Sequence, residues 1–199
     1  MKLILASNNA HKAREFREIL APLGVDVVTQ SEAGCHFEVD ETGTTFEENA
    51  FLKAEAAMKA TGEAAVSDDS GLEVDALGGE PGVHSARYTG RHEDTDADRR
   101  NFLMKKLEGV EHRSARFVSA ICCVFPNGDV IRARGECPGS IATYMKGENG
   151  FGYDSMFIPE GSTLTMAELS ADEKNAISHR GRALREFYRL LKEYKDADK

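Results

Sequence analysis

The sequence is short of basic residues, and this shortage excludes whole classes of partner. It contains 25 lysine and arginine residues against 34 aspartate and glutamate residues, which gives a formal charge of −9 and a pI near 5.2. Duplex DNA and anionic membranes are bound through basic surfaces. We therefore expect neither a nucleic acid polymer nor a membrane as partner. A phosphate ligand would need a metal ion and a few local cations to overcome the negative field.

Long apolar runs, linkers and repeats are also lacking. The N-terminal apolar run, residues 3–6, is too short for a signal peptide or a membrane span, so we expect a cytoplasmic protein. Only 5 prolines and no low-complexity segment interrupt the 199 residues. This predicts a single domain over residues 1–199 with one sizeable core, and its length is compatible with two lobes around a cleft.

The cysteines and histidines show no spacing that binds metal. No CxxC pair occurs among the 4 cysteines and no HExxH motif among the 6 histidines, so zinc is not expected. Adjacent Cys122 and Cys123 are predicted to point to opposite faces of a strand. The cysteines are interpreted as reduced packing residues.

Acidic and chain-bending residues are most concentrated in residues 67–82. This segment follows the apolar run 64–66, which predicts a buried strand with Asp68 and Asp69 at its carboxyl end. Ligands of open α/β sheets bind at that end. Adjacent carboxylates repel, and magnesium is their usual partner when phosphate is the substrate. The alternative is a polar loop in which one aspartate caps a turn.

A second candidate site lies between a predicted strand, 2–6, and a predicted helix with an apolar face from Phe16 to Leu23. The free N–H groups of a helix N-terminus bind anions, and Lys12 adds a full charge. The loop consists of Ser7, Asn8, Asn9, Ala10, His11 and Lys12. The alternative is that Asn8 or Asn9 simply caps the helix.

The next helix is predicted to begin near Thr45, because Thr45 and Glu48 have the spacing of a capping box. Acidic residues, including Asp40 and Glu41, precede it. Lys53 lies on the flank of this helix and can reach a site at its N-terminal end, or it is simply solvated.

The second half of the chain predicts a hairpin and a polar, glycine-rich loop. An apolar strand, 117–125, a turn, 126–129, and a returning strand, 130–135, indicate an α/β fold with a mixed central sheet and flanking helices. In the loop 148–154, Phe151 is flanked by glycines and can stack on a base, or it can be a core residue. Lys174, His179 and Arg180 lie around the start of the last helix, where cations are unfavourable unless an anion or acceptor is bound.

Six segments, taken together and in order, resemble the inosine triphosphate pyrophosphatase family, also known as Ham1/RdgB-like proteins. They are residues 7–12, 45–50, 67–72, 78–83, 151–154 and 178–180. The resemblance implies an elongated, two-lobed fold of the Maf/Ham1 type with a cleft between the lobes. It also implies a homodimer, a requirement for Mg²⁺, and hydrolysis of ITP, dITP and XTP to the monophosphate and pyrophosphate.

The resemblance also assigns roles to residues. Asp69 matches the catalytic carboxylate, and metal binding falls to Asp69 and Asp40, although relatives often carry glutamate there and Glu41 is the alternative. Matching substrate positions are Ser7, Asn8, Asn9, Ala10, His11, Lys12, Ser70, Phe151, Gly152, Tyr153, Asp154, Lys174, His179 and Arg180. For such a substrate, the charge of Lys53 predicts that it binds the phosphate tail together with Lys12. The acid pair, the lysine loop and the histidine–arginine corner are expected to share one cleft.

Two other functions stay open at this point. A Maf-like pyrophosphatase acting on modified or pyrimidine nucleotides would have similar acid and lysine requirements. A nucleotide-binding sensor without turnover would bind the same ligands.

Overall fold

The computed structural model describes residues 1–35, 38–91 and 93–197. In these ranges the chain forms β1 (Lys2–Leu5), α1 (Ala10–Leu20), β2 (Asp26–Thr29), α2 (Phe46–Thr61), β3 (Ala65–Val74), α3 (Asp96–Lys106), β4 (Ser114–Val124), β5 (Val130–Ile141), β6 (Phe157–Pro159), α4 (Ala171–Ile177) and α5 (His179–Ala197). Short 3-10 helices lie in the connections, among them Asp75–Leu77 and Gly82–Arg87.

The strands form a six-stranded sheet in the order β2-β1-β3-β4-β5-β6. β1 pairs in parallel with β2 and β3, whereas β5 and β6 are antiparallel. Parallel neighbours require crossover connections, and α1 and α2 lie in them. A tight turn links β4 to β5, with the Gly128 N–H donating to Phe125 O. The prediction of an α/β fold with a mixed central sheet and flanking helices is confirmed.

The chain divides into two compact units, here called unit 1 and unit 2. Unit 1 comprises the described residues of Met1–Asp69, Ser119–Gly135 and Arg182–Lys199. In its larger core cluster, Leu3 and Leu5 of β1 pack with apolar residues of α1 and α5. The alternate residue, Ile4, packs with Ala57 of α2 in a separate cluster, because successive side chains of a strand point to opposite faces.

Unit 2 comprises the described residues of Ser70–Val118 and Glu136–Gly181. Its core cluster includes Leu72 of β3, Leu103 of α3 and Phe157 of β6, all with no exposed surface. The prediction of one two-lobed domain over residues 1–199 stays a prediction.

Three local predictions are corrected. Asp68 and Asp69 do not end their strand, because β3 continues to Val74. Only the pairing with β1 ends before them, at the Leu5–Val66 pair. The returning strand of the hairpin runs to Ile141 instead of ending at 135. Lys174 lies in the short helix α4, separate from α5, which carries His179 and Arg180.

Several other predictions are confirmed. Thr45 caps α2, and with Glu48 it forms a capping box. Cys122 and Cys123 lie in different core clusters, as expected for opposite faces of a strand.

The four cysteines form no disulfide bond, and Cys122, Cys123 and Cys137 are buried. In the described part of the chain, no helix is both long and apolar enough to cross a membrane.

Candidate active site

The two adjacent aspartates of β3 interact with different lysines of unit 1. Asp68, whose side chain has no exposed surface, forms an ion pair with Lys12 of α1, with 2.9 Å between Lys12 Nζ and Asp68 Oδ1. Asp69 interacts with Lys53 of α2, with 3.1 Å between Lys53 Nζ and Asp69 Oδ1. Strand alternation explains this division, since neighbouring side chains point to opposite faces. The repulsion expected within the pair is therefore relieved by two cations.

Lys53 bridges two carboxylates. Its Nζ donates to Glu41 Oε1 at 2.7 Å as well as to Asp69 Oδ1. The second oxygen of Asp69 accepts a hydrogen bond from Asn49 Nδ2 at 3.3 Å. The cluster of Asp68, Asp69 and Glu41 with Lys12 and Lys53 is called the acid–lysine cluster below. Its three carboxylates outnumber its two ammonium groups.

The pKa of Asp69 depends first on burial and then on the charges of the cluster. Burial raises the pKa of Asp69 above its ordinary value; the charge of Lys53 opposes the rise and the charge of Glu41 adds to it. Burial by itself would lower the pKa of Lys53, but the charges of Asp69 and Glu41 outweigh burial and raise it. One ammonium group shared by two carboxylates is strongly held, whereas Asp69 is incompletely neutralised. An additional cation would be favourable beside it.

Asn49 was not predicted as a functional residue. It is fully buried on α2, and its Oδ1 accepts from the Gly43 N–H at 2.8 Å while its Nδ2 donates to Asp69. Both groups of the side-chain amide thus connect the turn before α2 to the candidate catalytic carboxylate. A polar residue beside Ala50 on an otherwise apolar helix face is the signal in the sequence that indicates it.

The acid–lysine cluster fits a magnesium ion. Mg²⁺ prefers oxygen ligands and is bound through one or two carboxylates, with water and substrate phosphate completing its shell. Asp69 and Glu41 supply such oxygens, since both are held by the same ammonium group. Within residues 1–35, 38–91 and 93–197, no three acidic, histidine or cysteine side chains form a complete metal cage. A cage of that kind suits zinc or calcium better than Mg²⁺.

Of the two candidate metal ligands before α2, Glu41 is the residue that joins the cluster. Asp40 is exposed, and its backbone oxygen accepts from the Thr42 N–H. Glu41 is partly buried and contacts Lys53. The geometry therefore favours Glu41 over Asp40 as the partner of Asp69.

The N-terminal loop is organised mainly by its own hydrogen bonds. Asn9 Oδ1 accepts from the N–H groups of His11 and Lys12 at 3.0 and 3.1 Å, so Asn9 caps α1. Asn8 Oδ1 accepts from the Ser31 N–H at 3.2 Å, and Ser7 Oγ accepts from the Asn9 N–H at 3.1 Å. The capping alternative is thus the one observed for Asn9. Lys12 is the charge that this loop brings to the cluster.

The neighbours of these groups have simple placements. Ala10 begins α1 and is exposed, as is His11. Ser70 follows Asp69 on β3 and is partly exposed.

In unit 2, an exposed aromatic ring is accompanied by two cations. The side chain of Phe151 is 59% exposed, which excludes the core alternative. Lys174 Nζ lies 5.1 Å and Arg180 Cζ 6.0 Å from the centre of its ring. A flat ring with cationic donors beside it is suited to a planar ligand that carries hydrogen-bond acceptors.

Asp154 connects this ring to its cations. Its Oδ2 accepts from Lys174 Nζ at 2.6 Å and from the Phe151 N–H at 3.0 Å. His179, at the start of α5, stacks on Phe117 with 4.9 Å between the ring centres and 16° between their planes. Phe151, Asp154, Lys174 and Arg180 are called the aromatic–cation cluster below.

Tyr153 is placed differently from its prediction as a substrate contact. It is 4% exposed in the core of unit 2, and its hydroxyl donates to Ser85 O at 2.8 Å. Burial is the main cause that raises the pKa of this phenol. The structure gives its side chain a packing role.

A separate pocket of about 490 Å³ lies in unit 2, lined by β4, β5 and β6 residues such as Arg116, Glu136 and Ile158. None of the predicted site residues line it.

Comparison with solved structures defines the class of protein first. The chain has the mixed α/β fold of the Ham1 protein of Staphylococcus aureus, with a TM-score of 0.90 and 42% identity over 100% of both chains. A HAM1 protein from Coxiella burnetii matches with a TM-score of 0.92 and 41% identity, covering 97% of this chain and 99% of that one.

The sequence comparisons then give the family. The Ham1 family model matches residues 3–190, so the chain belongs to the Ham1 family. A protein of Desulforamulus reducens named dITP/XTP pyrophosphatase is 49% identical over 193 residues, covering 96% of each chain. One of the same name from Bacillus subtilis is 47% identical over 190 residues, covering 94% of this chain and 96% of its own. The resemblance stated from the six segments is confirmed.

Proposed function

We propose that this protein hydrolyses non-standard purine nucleoside triphosphates (ITP, dITP and XTP) to the monophosphate and pyrophosphate in the presence of Mg²⁺. The observation that carries the proposal is the acid–lysine cluster, in which Lys53 joins Glu41 and Asp69 while Lys12 pairs with Asp68. The names of relatives that are 47–49% identical over nearly the whole chain support the same activity.

The acid–lysine cluster supplies the groups that cleavage between the α and β phosphorus atoms requires. Such a reaction depends on positioning and on neutralisation of charge more than on covalent chemistry. Lys12 and Lys53 bind the triphosphate, exchanging part of their contact with Asp68 and Glu41 for phosphate oxygens. Asp69, whose pKa burial raises, accepts the proton of the attacking water. Asn49 holds the Asp69 carboxylate in place for that transfer.

Asp69 and Glu41 would hold the magnesium ion. When bound, Mg²⁺ supplies charge neutralisation on the bridging oxygens and orientation of the water. The substrate adds several negative charges to a cluster that already has more carboxylates than ammonium groups. The two lysines alone therefore do not balance the complex.

The aromatic–cation cluster of unit 2 is proposed to bind the base. Hypoxanthine and xanthine carry a carbonyl oxygen at purine position 6, where adenine carries an amino group. Lys174 and Arg180 carry hydrogen-bond donors only, and both lie over the Phe151 ring. His179 can add a further donor. An amino group facing these donors leaves polar groups unpaired, and such mismatches produce discrimination of about 10⁴ or more.

A substrate panel tests the proposed function. Pyrophosphate release is measured with Mg²⁺ for ITP, dITP and XTP against ATP, UTP and TTP. We expect kcat/KM for ITP to exceed that for ATP by at least about 100-fold, a conservative fraction of the discrimination above. Equal rates on pyrimidine nucleotides would favour a Maf-like enzyme. Tight binding of ITP without any product would favour a nucleotide-binding sensor. Release of orthophosphate as the first product would favour a sequential phosphatase.

Replacing Gly150 by alanine is expected to disrupt the base site. A Cβ at this position, where φ is +80°, would lie 2.1 Å from Asp154 Oδ2 and 2.9 Å from Lys174 Nζ. The ion pair must move, so we expect KM for ITP to rise about tenfold or more while the requirement for Mg²⁺ is unchanged. Steady-state kinetics measure both quantities.

Gly161→Ala is the matched control for Gly150→Ala. Its φ is +77°, but nothing lies within 4 Å of an added Cβ. Both variants carry a backbone penalty of roughly 1 kcal/mol or more. A rise in KM that is equal in the two variants would show that backbone strain, and not the Asp154–Lys174 pair, is responsible.

The homodimer implied by the resemblance and the cytoplasmic location expected from the short N-terminal apolar run stay predictions. Gel filtration with light scattering tests the first, and fractionation of the source cells tests the second.

A further inference from the structure

Helix α3 binds both backbone polar groups of Gly152. The Gly152 N–H donates to Asp96 Oδ2 at 2.6 Å, and Gly152 O accepts from Arg100 Nη1 at 2.8 Å. Asp96 and Arg100 lie four residues apart on α3 and so occupy neighbouring positions on one face of the helix. We call these two residues the glycine clamp. Neither was singled out by the sequence, because both read as ordinary charges at a solvated helix start.

The residues next to Gly152 in the loop are also hydrogen-bonded. The Phe151 N–H is held by Asp154, and the Asp154 N–H donates to Phe151 O at 3.2 Å. The Tyr153 hydroxyl is anchored to Ser85 O. Gly152 has φ +59°, a conformation that glycine adopts without strain. The Phe151 ring is the exposed part of this bonded segment.

The clamp is itself rigidly supported. Thr95 and Asp98 form a capping box at the start of α3, and Leu103 of the same helix is fully buried. Asp96 also forms an ion pair with Arg99. Arg99 in turn donates to Ala86 O at 3.0 Å. The helix start is therefore held by contacts that do not involve the loop around Gly152.

We propose that Asp96 and Arg100 are positioning residues that set the orientation of the Phe151 ring through the backbone of Gly152 and so tune affinity for the base. This inference rests on the proposed function, in which Phe151 is the platform for that base. The N–H and the C=O of Gly152 are both engaged by α3, so the contribution of Gly152 is to present the ring. The predicted role of Gly152 in substrate binding is thereby reinterpreted as indirect.

A tryptophan reporter tests the orientation of the ring without any substrate. The chain contains no tryptophan, so Phe151→Trp introduces a single fluorophore. In that background we expect Asp96→Ala and Arg100→Ala to lower the fluorescence anisotropy of the tryptophan and to increase its quenching by acrylamide. Lys105→Ala, on an exposed position of the same helix, is the control and is expected to change neither. Unchanged anisotropy in both clamp variants would overturn the proposal.

Steady-state kinetics of the clamp variants that retain Phe151 then test the effect on affinity for ITP. We expect Asp96→Ala and Arg100→Ala to raise KM for ITP about tenfold and to change kcat less than about threefold, as Phe151→Ala should. Arg100→Lys, which keeps a donor, is expected to recover part of the loss. A fall in kcat at constant KM, in variants that melt like the parent protein, would contradict a positioning role. If the parent protein does not hydrolyse ITP, the proposed function fails, while the reporter still decides whether the clamp holds the ring.

Discussion

Asp69→Asn is expected to reduce kcat/KM for ITP by about 10²–10⁴-fold, the usual contribution of a general base. Asparagine keeps the shape of the side chain and can still accept from Asn49, but it cannot take the proton of water. It also removes one of the two carboxylates that Lys53 joins. Pyrophosphate release at saturating Mg²⁺ measures the loss.

The same variant is expected to fold at least as stably as the parent protein without metal. The pKa of Asp69 is raised in the folded state, mainly by burial. A raised pKa means that folding disfavours the charged form of Asp69. The free energy of unfolding is therefore highest below the unfolded pKa of Asp69 and falls as pH rises through its folded pKa. Asparagine has no such loss. Thermal melting at neutral pH should therefore show an equal or higher Tm for Asp69→Asn.

With Mg²⁺ present, the parent protein should have a higher Tm than Asp69→Asn. The ion would bind the folded parent protein through Asp69 and Glu41, and a ligand of the folded state raises Tm by mass action. We expect a Mg²⁺-dependent rise in Tm for the parent that is much smaller in Asp69→Asn. Asp26→Asn, an exposed position of β2 in the same unit, should behave as the parent in all three measurements. A variant that retains full activity would remove Asp69 from the proposed mechanism.

The local patterns of the sequence predicted much of the fold for clear physical reasons. Alternation and apolar runs depend on neighbouring residues only, which is why β1, the long strand β4 and the turn after it were all found. The Thr45–Glu48 capping box was likewise predictable from a spacing of three residues.

The errors arose where distant parts of the chain decide the outcome. Asp68 and Asp69 look like the end of a strand because acids follow an apolar run, but β3 continues beside β4 in the sheet. Their division between Lys12 and Lys53 needs both flanking helices to be in place. No pattern of spacing predicts it. The burial of Tyr153 likewise depends on core residues far away in the sequence.

Candidate site residues were recognised better than their partners. Phe151 was predicted to be either an exposed ring that stacks on a base or a core residue, and it is exposed. Asp96 and Arg100, which hold the neighbouring peptide, lie more than fifty positions earlier on a helix whose sequence shows only solvated charges. Contacts between a side chain and a distant backbone group leave no periodic signal in the sequence. Only the structure reveals them.

Lys12→Met is expected to have the largest effect on stability. Asp68 has no exposed side-chain surface, and its pair with Lys12 is 20% exposed on the lysine side only. Lys12→Met removes the ammonium group from this buried carboxylate, and breaking a buried ion pair on one side costs about 3–5 kcal/mol. For a chain of this size, a loss of about 3 kcal/mol lowers Tm by roughly 6–12 °C. Urea unfolding and thermal melting measure the change.

A double-variant cycle separates the pair from other effects of the substitution. Because Asp68→Asn removes the buried charge, the combination of Lys12→Met with Asp68→Asn should recover a large part of the lost stability. The recovered protein should still bind the triphosphate poorly, since the Lys12 charge is absent. Arg14→Met, which breaks an exposed pair with Glu18 on the same helix, should cost about 0–1 kcal/mol. If Lys12→Met lowered the free energy of unfolding no more than Arg14→Met, another group would have to neutralise Asp68. The role of Lys12 would then be limited to binding the substrate.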